Sequence, residues 1–146
     1  MEQNILQHYG VRPTAIRLLV WKQIAKTDHP FSLNDMELWL DTVDKSTLFR
    51  TLSLFEEHHL LHGIDDGSGQ KKYCRCDDSA VCSQHHDGEH EHMHQGCKHV
   101  HAFCVKCQRS FCIRTEQIPL VKMPDGFEVL DINYVVRGIC PDCKKK

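Results

Sequence analysis

The chain has 146 residues and a formal net charge of −2, and 26% of its residues are charged. This length allows one ordinary domain or two small ones, and no run approaches the roughly twenty apolar residues that would span a bilayer. The balanced charge excludes nucleic-acid binding through bulk positive charge, so any DNA affinity must come from a locally concentrated basic face.

The cysteine content indicates metal binding in a reducing compartment. The N-terminal residues Met1–Asn4 have neither the basic start nor the apolar segment of a signal peptide. Nine cysteines in such a chain are typical of metal ligands rather than disulfides. We therefore expect a cytoplasmic protein with no membrane partner.

The sequence predicts four helices over residues 1–58. The first covers about Glu2–Tyr9, and the second begins at Thr14, behind Pro13. The third opens after Pro30 with Ser32 as N-cap, and the residues predicted for its buried side are Leu33, Met36, Leu38 and Leu40.

The fourth helix is capped by Asp44 or by Lys45-Ser46, and its apolar residues are Leu48, Leu52, Leu54 and Phe55. Three short helices with tight connections, the last one well capped, are typical of a helix-turn-helix.

A hairpin is predicted directly behind these helices. Residues 60–64 and 71–75 are strand-like and flank a glycine-rich turn. A hairpin behind a three-helix unit indicates a winged helix. Its second strand carries Lys71 and Lys72, which are placed either to touch phosphate or to lie as a solvated pair.

The chain changes character after residue 76. Residues 77–98 have no core-forming period, and the His-rich stretch at 84–95 reads as a solvated spacer or, less favourably, as a weak zinc or nickel trap. Strands are then predicted over His99–Cys104, Ser110–Ile113 and about Phe127–Gly138.

Two Cys-x-x-Cys pairs lie beside these strands, and each supplies two thiolates from one tight turn. Together they predict a closed four-sulfur zinc site, which stabilises a fold and does no chemistry; its ligands would be Cys104, Cys107, Cys140 and Cys143. The predicted fold is therefore α+β. A winged-helix domain (1–76) and a His-rich hinge (77–98) would precede a small, zinc-stapled dimerisation domain (99–146).

Three stretches carry a resemblance to a known family. They are Val11–Arg17, Ser46–Leu52 (with Phe49 where tyrosine is usual) and His99–Cys107 together with Gly138–Cys143. The chain resembles the ferric uptake regulator superfamily of bacterial metal-sensing repressors, most closely its zinc-uptake branch. The resemblance implies a homodimer that binds double-stranded operator DNA when a regulatory metal is loaded.

The fourth helix would then be the recognition helix. Short polar groups and long cations at its N-terminal end can enter a major groove. Arg50 could pair with guanine or clamp a phosphate, and an ordinary surface helix is the alternative. The candidate DNA-binding residues are Arg17, Lys45, Ser46, Thr47, Phe49, Arg50, Lys71 and Lys72.

A sensor needs a second metal site, and its candidate ligands flank the predicted hinge: His62, Cys76, His99 and His101. Residues 99 and 101 lie on the same face of a strand. Three imidazoles and one thiolate favour tetrahedral zinc over a hard octahedral metal, although iron stays open.

The resemblance supports this ligand set. Iron and manganese members have a carboxylate ligand after the aromatic residue that ends the wing, whereas here Cys74 follows Tyr73. Cys76 matches the cysteine of the zinc sensors. Cys112 is either a substitute ligand or a small buried hydrophobe. Cys74, Cys82 and Cys97 have no assigned role, and a further metal site of the family is lost, because its positions hold Lys98, Val100, Pro119 and Ile132.

These observations predict a zinc-dependent repressor of metal-uptake genes. The alternatives are an iron-responsive regulator of the same family and a zinc storage or chaperone protein. An enzyme is disfavoured, because no nucleophile elbow, phosphate loop or His-Glu-x-x-His motif occurs and both cysteine pairs are expected among antiparallel strands. We expect no small organic ligand.

Overall fold

The computed structural model describes residues 2–75, 100–113, 121–129 and 133–145. The chain divides into two compact units, Met1–Cys76 and Asp77–Lys146, which we call the first and second units. The predicted hinge at 77–98, the His-rich stretch and two predicted ligands, Cys76 and His99, lie outside the described residues.

The first unit has four helices: α1 (Glu2–His8), α2 (Ala15–Lys26), α3 (Leu33–Trp39) and α4 (Lys45–Glu57). Side-chain caps fix the starts of α2, α3 and α4. The Thr14 hydroxyl accepts a hydrogen bond from the Arg17 amide. Ser32 forms a capping box with Asp35, in which each side chain accepts from the other residue's backbone amide. The predicted start of the second helix and the Ser32 cap are confirmed.

The core of the first unit forms where α4 packs against the other helices. Leu48, Leu52 and Phe55 of α4 are fully buried, and Trp21 of α2 meets Phe55 edge to face at a centroid distance of 5.9 Å. The prediction that Leu38 is buried is wrong, because 80% of its surface is exposed. Leu38 follows Met36 by two positions, about 200° around the helix, so the two side chains point in nearly opposite directions.

A three-stranded antiparallel sheet completes the first unit, in the order β1 (Phe31–Ser32), β3 (Lys71–Arg75) and β2 (Leu61–Asp65). The hairpin β2–β3 is the predicted one. The short strand β1 was not predicted, because two residues carry no alternation. It places the Phe31 ring against the Tyr73 ring at a centroid distance of 5.9 Å, which ties the sheet to the helical core.

The second unit contains a sheet of order β5–β4–β6, formed by β4 (Val100–Cys104), β5 (Ser110–Ile113) and β6 (Val135–Gly138). Strand β5 is antiparallel to β4, whereas β6 is parallel to it, so the expectation of purely antiparallel strands is wrong. The predicted strand from Phe127 is also too long: residues 127–129 are not in a strand, and Phe127 is 59% exposed. A short helix, α5 (Pro141–Lys144), follows β6.

Within the described ranges, every helix is too short or too polar to cross a membrane.

Candidate metal sites and nucleic-acid interface

Four cysteines of the second unit converge, as their spacing predicted. Cys104 ends β4, Cys107 lies in the following turn, and Cys140 and Cys143 belong to the start and body of α5. Their four sulfur atoms all lie within 4.8 Å of one another, and Cys107 Sγ is 3.8 Å from Cys140 Sγ. Two sulfurs bound tetrahedrally to one zinc lie about 3.8 Å apart, so the donor set fits a zinc ion.

The backbone brings the two cysteine pairs together. The Gln108 amide donates to the Cys104 carbonyl over 2.8 Å, and Gln108 adopts a left-handed φ of 61° that closes the turn. The Val105 amide donates to the Gly138 carbonyl over 2.9 Å. Because β4 and β6 run in parallel and end side by side, both pairs emerge at the same edge of the sheet.

Hydrogen bonds to sulfur favour thiolates in this cluster. Backbone donors near Cys107 and at Cys140 lower the pKa of Cys104 to about 6, and the Cys140 amide lies 3.3 Å from Cys104 Sγ. The Arg109 side chain lowers the pKa of Cys107. In contrast, hydrogen bonding to Cys140 and burial raise the pKa of Cys143 to about 12. Four crowded sulfurs cannot all ionise unaided, and a divalent cation would relieve that repulsion.

Arg109 was not singled out from the sequence. Its Nε lies 3.4 Å from Cys107 Sγ, and its Nη2 lies 3.2 Å from Asp142 Oδ2. This placement puts one positive charge against a cluster that carries two excess negative charges when four thiolates hold a divalent ion.

In the first unit, His62 of β2 and Cys74 of β3 are directly opposite each other in the antiparallel ladder. His62 is half-buried, Cys74 is only 1% exposed, and their ligand atoms lie within 4.8 Å. The sequence had placed His62 in a metal site and left Cys74 without a role. Only the strand register identifies Cys74 as the neighbour of His62.

In the second unit, the predicted ligand His101 lies on β4 and is buried, with 3% of its surface exposed. Its cross-strand partner is Cys112 of β5, which is half-buried. Directly opposite residues share a face of the sheet. Cys112 is therefore the described thiol that the sheet register places beside His101.

The N-terminal end of α4 is an exposed polar surface. Asp44 caps it: Oδ2 accepts from the Thr47 amide over 3.1 Å and Oδ1 accepts from the Thr47 hydroxyl over 2.7 Å, and these bonds lower the pKa of Asp44. Lys45, Ser46 and Arg50 are exposed, and Phe49 is 52% exposed. The capped end therefore projects two cations, a hydroxyl and an aromatic ring into solvent.

A third cation, Arg17, lies beside this surface. Arg17 of α2 and Arg50 line one open groove together with Thr14 and Thr47. The guanidinium of Arg17 is held by a 2.8 Å hydrogen bond that it donates to the Arg12 carbonyl. The groove thus presents two guanidinium groups near the start of α4.

The two lysines of β3 differ sharply. Lys71 is exposed, and its Nζ lies 2.7 Å from Glu56 Oε2. Lys72 is buried, and its Nζ lies 3.0 Å from Asp66 Oδ2, whose side chain is fully buried. An ammonium group held in such a pair cannot reach a phosphate, so Lys72 is removed from the candidate interface and Lys71 is retained.

No protein-family model matches the chain. The ferric uptake regulation protein of Synechococcus elongatus is 23% identical over 108 residues, which are 70% of this chain and 61% of that relative. The chain thus matches less than two thirds of the relative's length.

Solved structures match over nearly the whole chain. The ferric uptake regulator from Pseudomonas aeruginosa with manganese has a TM-score of 0.62 at 18% identity, covering 97% of this chain and 98% of that one. A zinc uptake regulator complexed with zinc and DNA has a TM-score of 0.59 at 16% identity, covering 98% and 90%. The chain has the fold of the ferric uptake regulators. The ferric uptake regulator of Vibrio cholerae agrees, with a TM-score of 0.62 at 13% identity over 96% and 100%, so the predicted α+β fold is confirmed.

Proposed function

We propose that this chain is a metal-responsive transcriptional regulator of the ferric uptake regulator family. In this proposal it binds operator DNA as a homodimer when a regulatory zinc is loaded, and thereby represses metal-uptake genes. The observation that carries the proposal is the capped, exposed end of α4, with Arg50 and Phe49 projecting from it, in a fold shared with a zinc uptake regulator that was solved with zinc and DNA.

The DNA contacts would come from the first unit, read as a winged helix. The start of α4 is the part that would enter a major groove, because its first side chains are short or cationic. The Asp44 cap already bonds to Thr47. Arg17 and Lys71 would contact phosphates from either side. The proposed DNA-binding residues are therefore Arg17, Lys45, Ser46, Thr47, Phe49, Arg50 and Lys71.

A structural zinc would be held by Cys104, Cys107, Cys140 and Cys143. The 3.8 Å separation between Cys107 Sγ and Cys140 Sγ and the hydrogen bonds to sulfur support this assignment. Such a closed site stabilises the second unit and leaves no position for a substrate.

A second, regulatory zinc would be bound by the ligand set His62, Cys76, His99 and His101. His62 is half-buried and His101 is buried, and this supports the set. An imidazole with little solvent contact loses few hydrogen bonds to water when it binds a metal. Cys112, opposite His101, is the proposed substitute ligand. A metal ion that joins ligands from both ends of the hinge would favour one arrangement of the DNA-binding units, which is a population shift.

The second unit would form the homodimer. Ala102 lies opposite Phe111 on one side and Val136 on the other, so the three share a face of the sheet. This face is apolar and open, with Val136 59% and Ile139 50% exposed. We propose that a second copy of the chain covers it.

The proposal is tested with the full chain carrying only its structural zinc. A pool of random DNA duplexes is selected against the protein at buffered free zinc, and the enriched duplex is titrated with and without zinc. We expect zinc to tighten binding at least tenfold and Arg50→Ala to lose most of that affinity, whereas Arg137→Ala, an exposed arginine of the second unit, should bind like the wild type.

The other outcomes are equally informative. Tightening only with ferrous iron, added without oxygen, would make the chain an iron-responsive regulator. Binding that is equally tight with the second site empty would remove metal control. No selection of any duplex with either metal would reject the DNA-binding function, and a count of several weak zinc ions per chain would then favour zinc storage.

A further inference from the structure

The sheet of the first unit has a face that the helical core does not use. Tyr73 and Leu61 belong to the hydrophobic core cluster that includes the helices. Because side chains alternate along a strand, the next positions along these strands, Cys74 and His62, lie on the opposite face. This face also carries the buried Ile64 and the buried Lys72–Asp66 ion pair, so polar groups are buried on it.

Cys74 is almost completely buried on this face, with 1% of its surface exposed. Its sulfur has a weak contact, 3.8 Å, with the Arg75 carbonyl. The strand register fixes His62 as its direct neighbour, and the Cys74 sulfur lies within 4.8 Å of a ring nitrogen of His62. A thiol and an imidazole are thus held side by side on two rigid strands.

This distance suits a shared metal ion. A sulfur at about 2.3 Å and a nitrogen at about 2.1 Å from a tetrahedral zinc lie about 3.6 Å apart. The Cys74 sulfur and the His62 nitrogen, which lie within 4.8 Å of each other, can reach this separation by side-chain rotation, because the two residues are already directly opposite each other. Zinc also binds thiolate and imidazole ligands well, whereas hard metals prefer oxygen ligands.

We propose that Cys74 and His62 are paired ligands of the regulatory zinc, so that Cys74 supplies the thiolate that the sequence had assigned to Cys76. This inference rests on the proposed function, because it concerns the second zinc. When zinc binds, the Cys74 thiol releases its proton to solvent and the sulfur becomes a thiolate bound to zinc, with no change in oxidation state. The two ligands come from adjacent strands, so zinc would cross-link β2 to β3.

The test uses cobalt(II) in place of the second zinc, in full-length protein whose structural site already holds zinc. A cobalt–thiolate bond gives an intense charge-transfer band that imidazole ligands do not give. We expect the wild type to show this band, Cys74→Ser to lose it and to bind cobalt at least tenfold more weakly, and Cys76→Ser to keep it. His62→Ala should weaken cobalt binding while it keeps the band.

Cys74→Asp guards against a variant that fails because it does not fold. A carboxylate can replace the thiolate as a ligand, so this variant should bind cobalt without the charge-transfer band. A cysteine that only fills space would tolerate Ser better than Asp, and the band would persist in both variants, which would overturn the proposal.

The remaining outcomes separate the two proposals. A band that is lost in Cys76→Ser and kept in Cys74→Ser overturns this inference, while zinc-dependent DNA binding by the wild type leaves the proposed function intact. A band that is weakened in each single variant and lost only in Cys74→Ser/Cys76→Ser makes the site a two-thiolate site and supports Cys74. A wild type that takes up no second cobalt and shows no metal-dependent DNA binding overturns the proposed function itself.

Discussion

The guanidinium of Arg109 donates to the sulfur of Cys107, with 3.4 Å between Nε and Sγ. A zinc held by four thiolates carries two excess negative charges, and groups that hydrogen-bond to the ligands stabilise such a site. The same side chain reaches Asp142, which lies between the two cysteines of the other pair, Cys140 and Cys143. Arg109 therefore ties the two halves of the cluster together from outside.

We expect Arg109→Met to release the structural zinc to a chelator about tenfold faster than the wild type, since the partners of metal ligands typically contribute tenfold or more to affinity. Arg109→Lys should lie between them, because lysine keeps the charge and loses the planar fork. The measurement is the rate of zinc transfer to a colorimetric chelator. Arg137→Met is the matched control, and equal rates in all four proteins would contradict the assignment.

The Lys72–Asp66 pair predicts a large stability effect at a position that the sequence suggested for DNA binding. Both side chains are buried, and Nζ lies 3.0 Å from Oδ2. Removing one partner from a buried pair leaves an uncompensated charge and typically costs about 3–5 kcal/mol. We expect this loss of unfolding free energy in Lys72→Met, measured by urea denaturation, with most of it recovered in Lys72→Met/Asp66→Asn.

Lys71→Met is the matched control for this pair. Lys71 and Glu56 form an exposed ion pair, and exposed pairs contribute up to about 1 kcal/mol. A loss in Lys72→Met no larger than that in Lys71→Met would show that the buried pair contributes little. Conversely, the proposed interface predicts that Lys71→Met weakens DNA binding although it leaves stability nearly unchanged.

Much of the fold was readable from local sequence. Caps such as Ser32 specify helix starts because their bonds reach only three residues along the chain. The two cysteine pairs were equally readable, because each turn holds two sulfurs by its own geometry. Features fixed by distant partners were not predictable from the sequence. The two-residue strand β1 exists only because it pairs with Tyr73 and Lys72. The parallel pairing of β6 with β4 likewise depends on residues far apart in the chain.

The candidate sites show the same division. Lys72 looked like its neighbour Lys71, and only the position of Asp66 in the folded sheet separates them. Cys74 and Cys76 differ by only two positions in sequence, and spacing alone does not choose between them. The register that places Cys74 opposite His62 is a property of the hairpin turn, which spacing alone could not supply.

The Asp44 cap predicts a pH dependence of helix α4. Hydrogen bonds from Thr47 hold the pKa of Asp44 below its usual value. A carboxyl group whose pKa is depressed by folding stabilises the native state above its unfolded pKa of about 3.9, and this contribution is lost as the pH falls through the folded value. We expect Asp44→Ala to be less stable than the wild type at neutral pH and the difference to shrink below about pH 4.

The measurement is the urea midpoint of the helical circular-dichroism signal for both proteins at each pH. Asp41→Ala is the control, because Asp41 is exposed just ahead of the helix and is not its N-cap. A difference between Asp44→Ala and wild type that stays constant from neutral to acid pH would show that the ionised cap is not its source.

The apolar face of the second unit predicts how the chain associates. Val136 is 59% exposed on a face that it shares with Ala102 and Phe111. If a second copy covers this face, Val136→Glu buries a charge without a partner, which is strongly unfavourable. We expect sedimentation velocity to give a dimer for the wild type and a monomer for Val136→Glu, and DNA binding to fall with it because a monomer reaches only one half-site.

Val121→Glu is the matched control, because Val121 is 71% exposed and lies outside this sheet. Both variants should keep one tightly held zinc per chain, which shows that the second unit is still folded. A dimeric Val136→Glu with unchanged DNA affinity would place the dimer contact elsewhere. A monomeric wild type that nevertheless binds DNA in a zinc-dependent manner would separate metal control from dimerisation and leave the exposed face for a different partner.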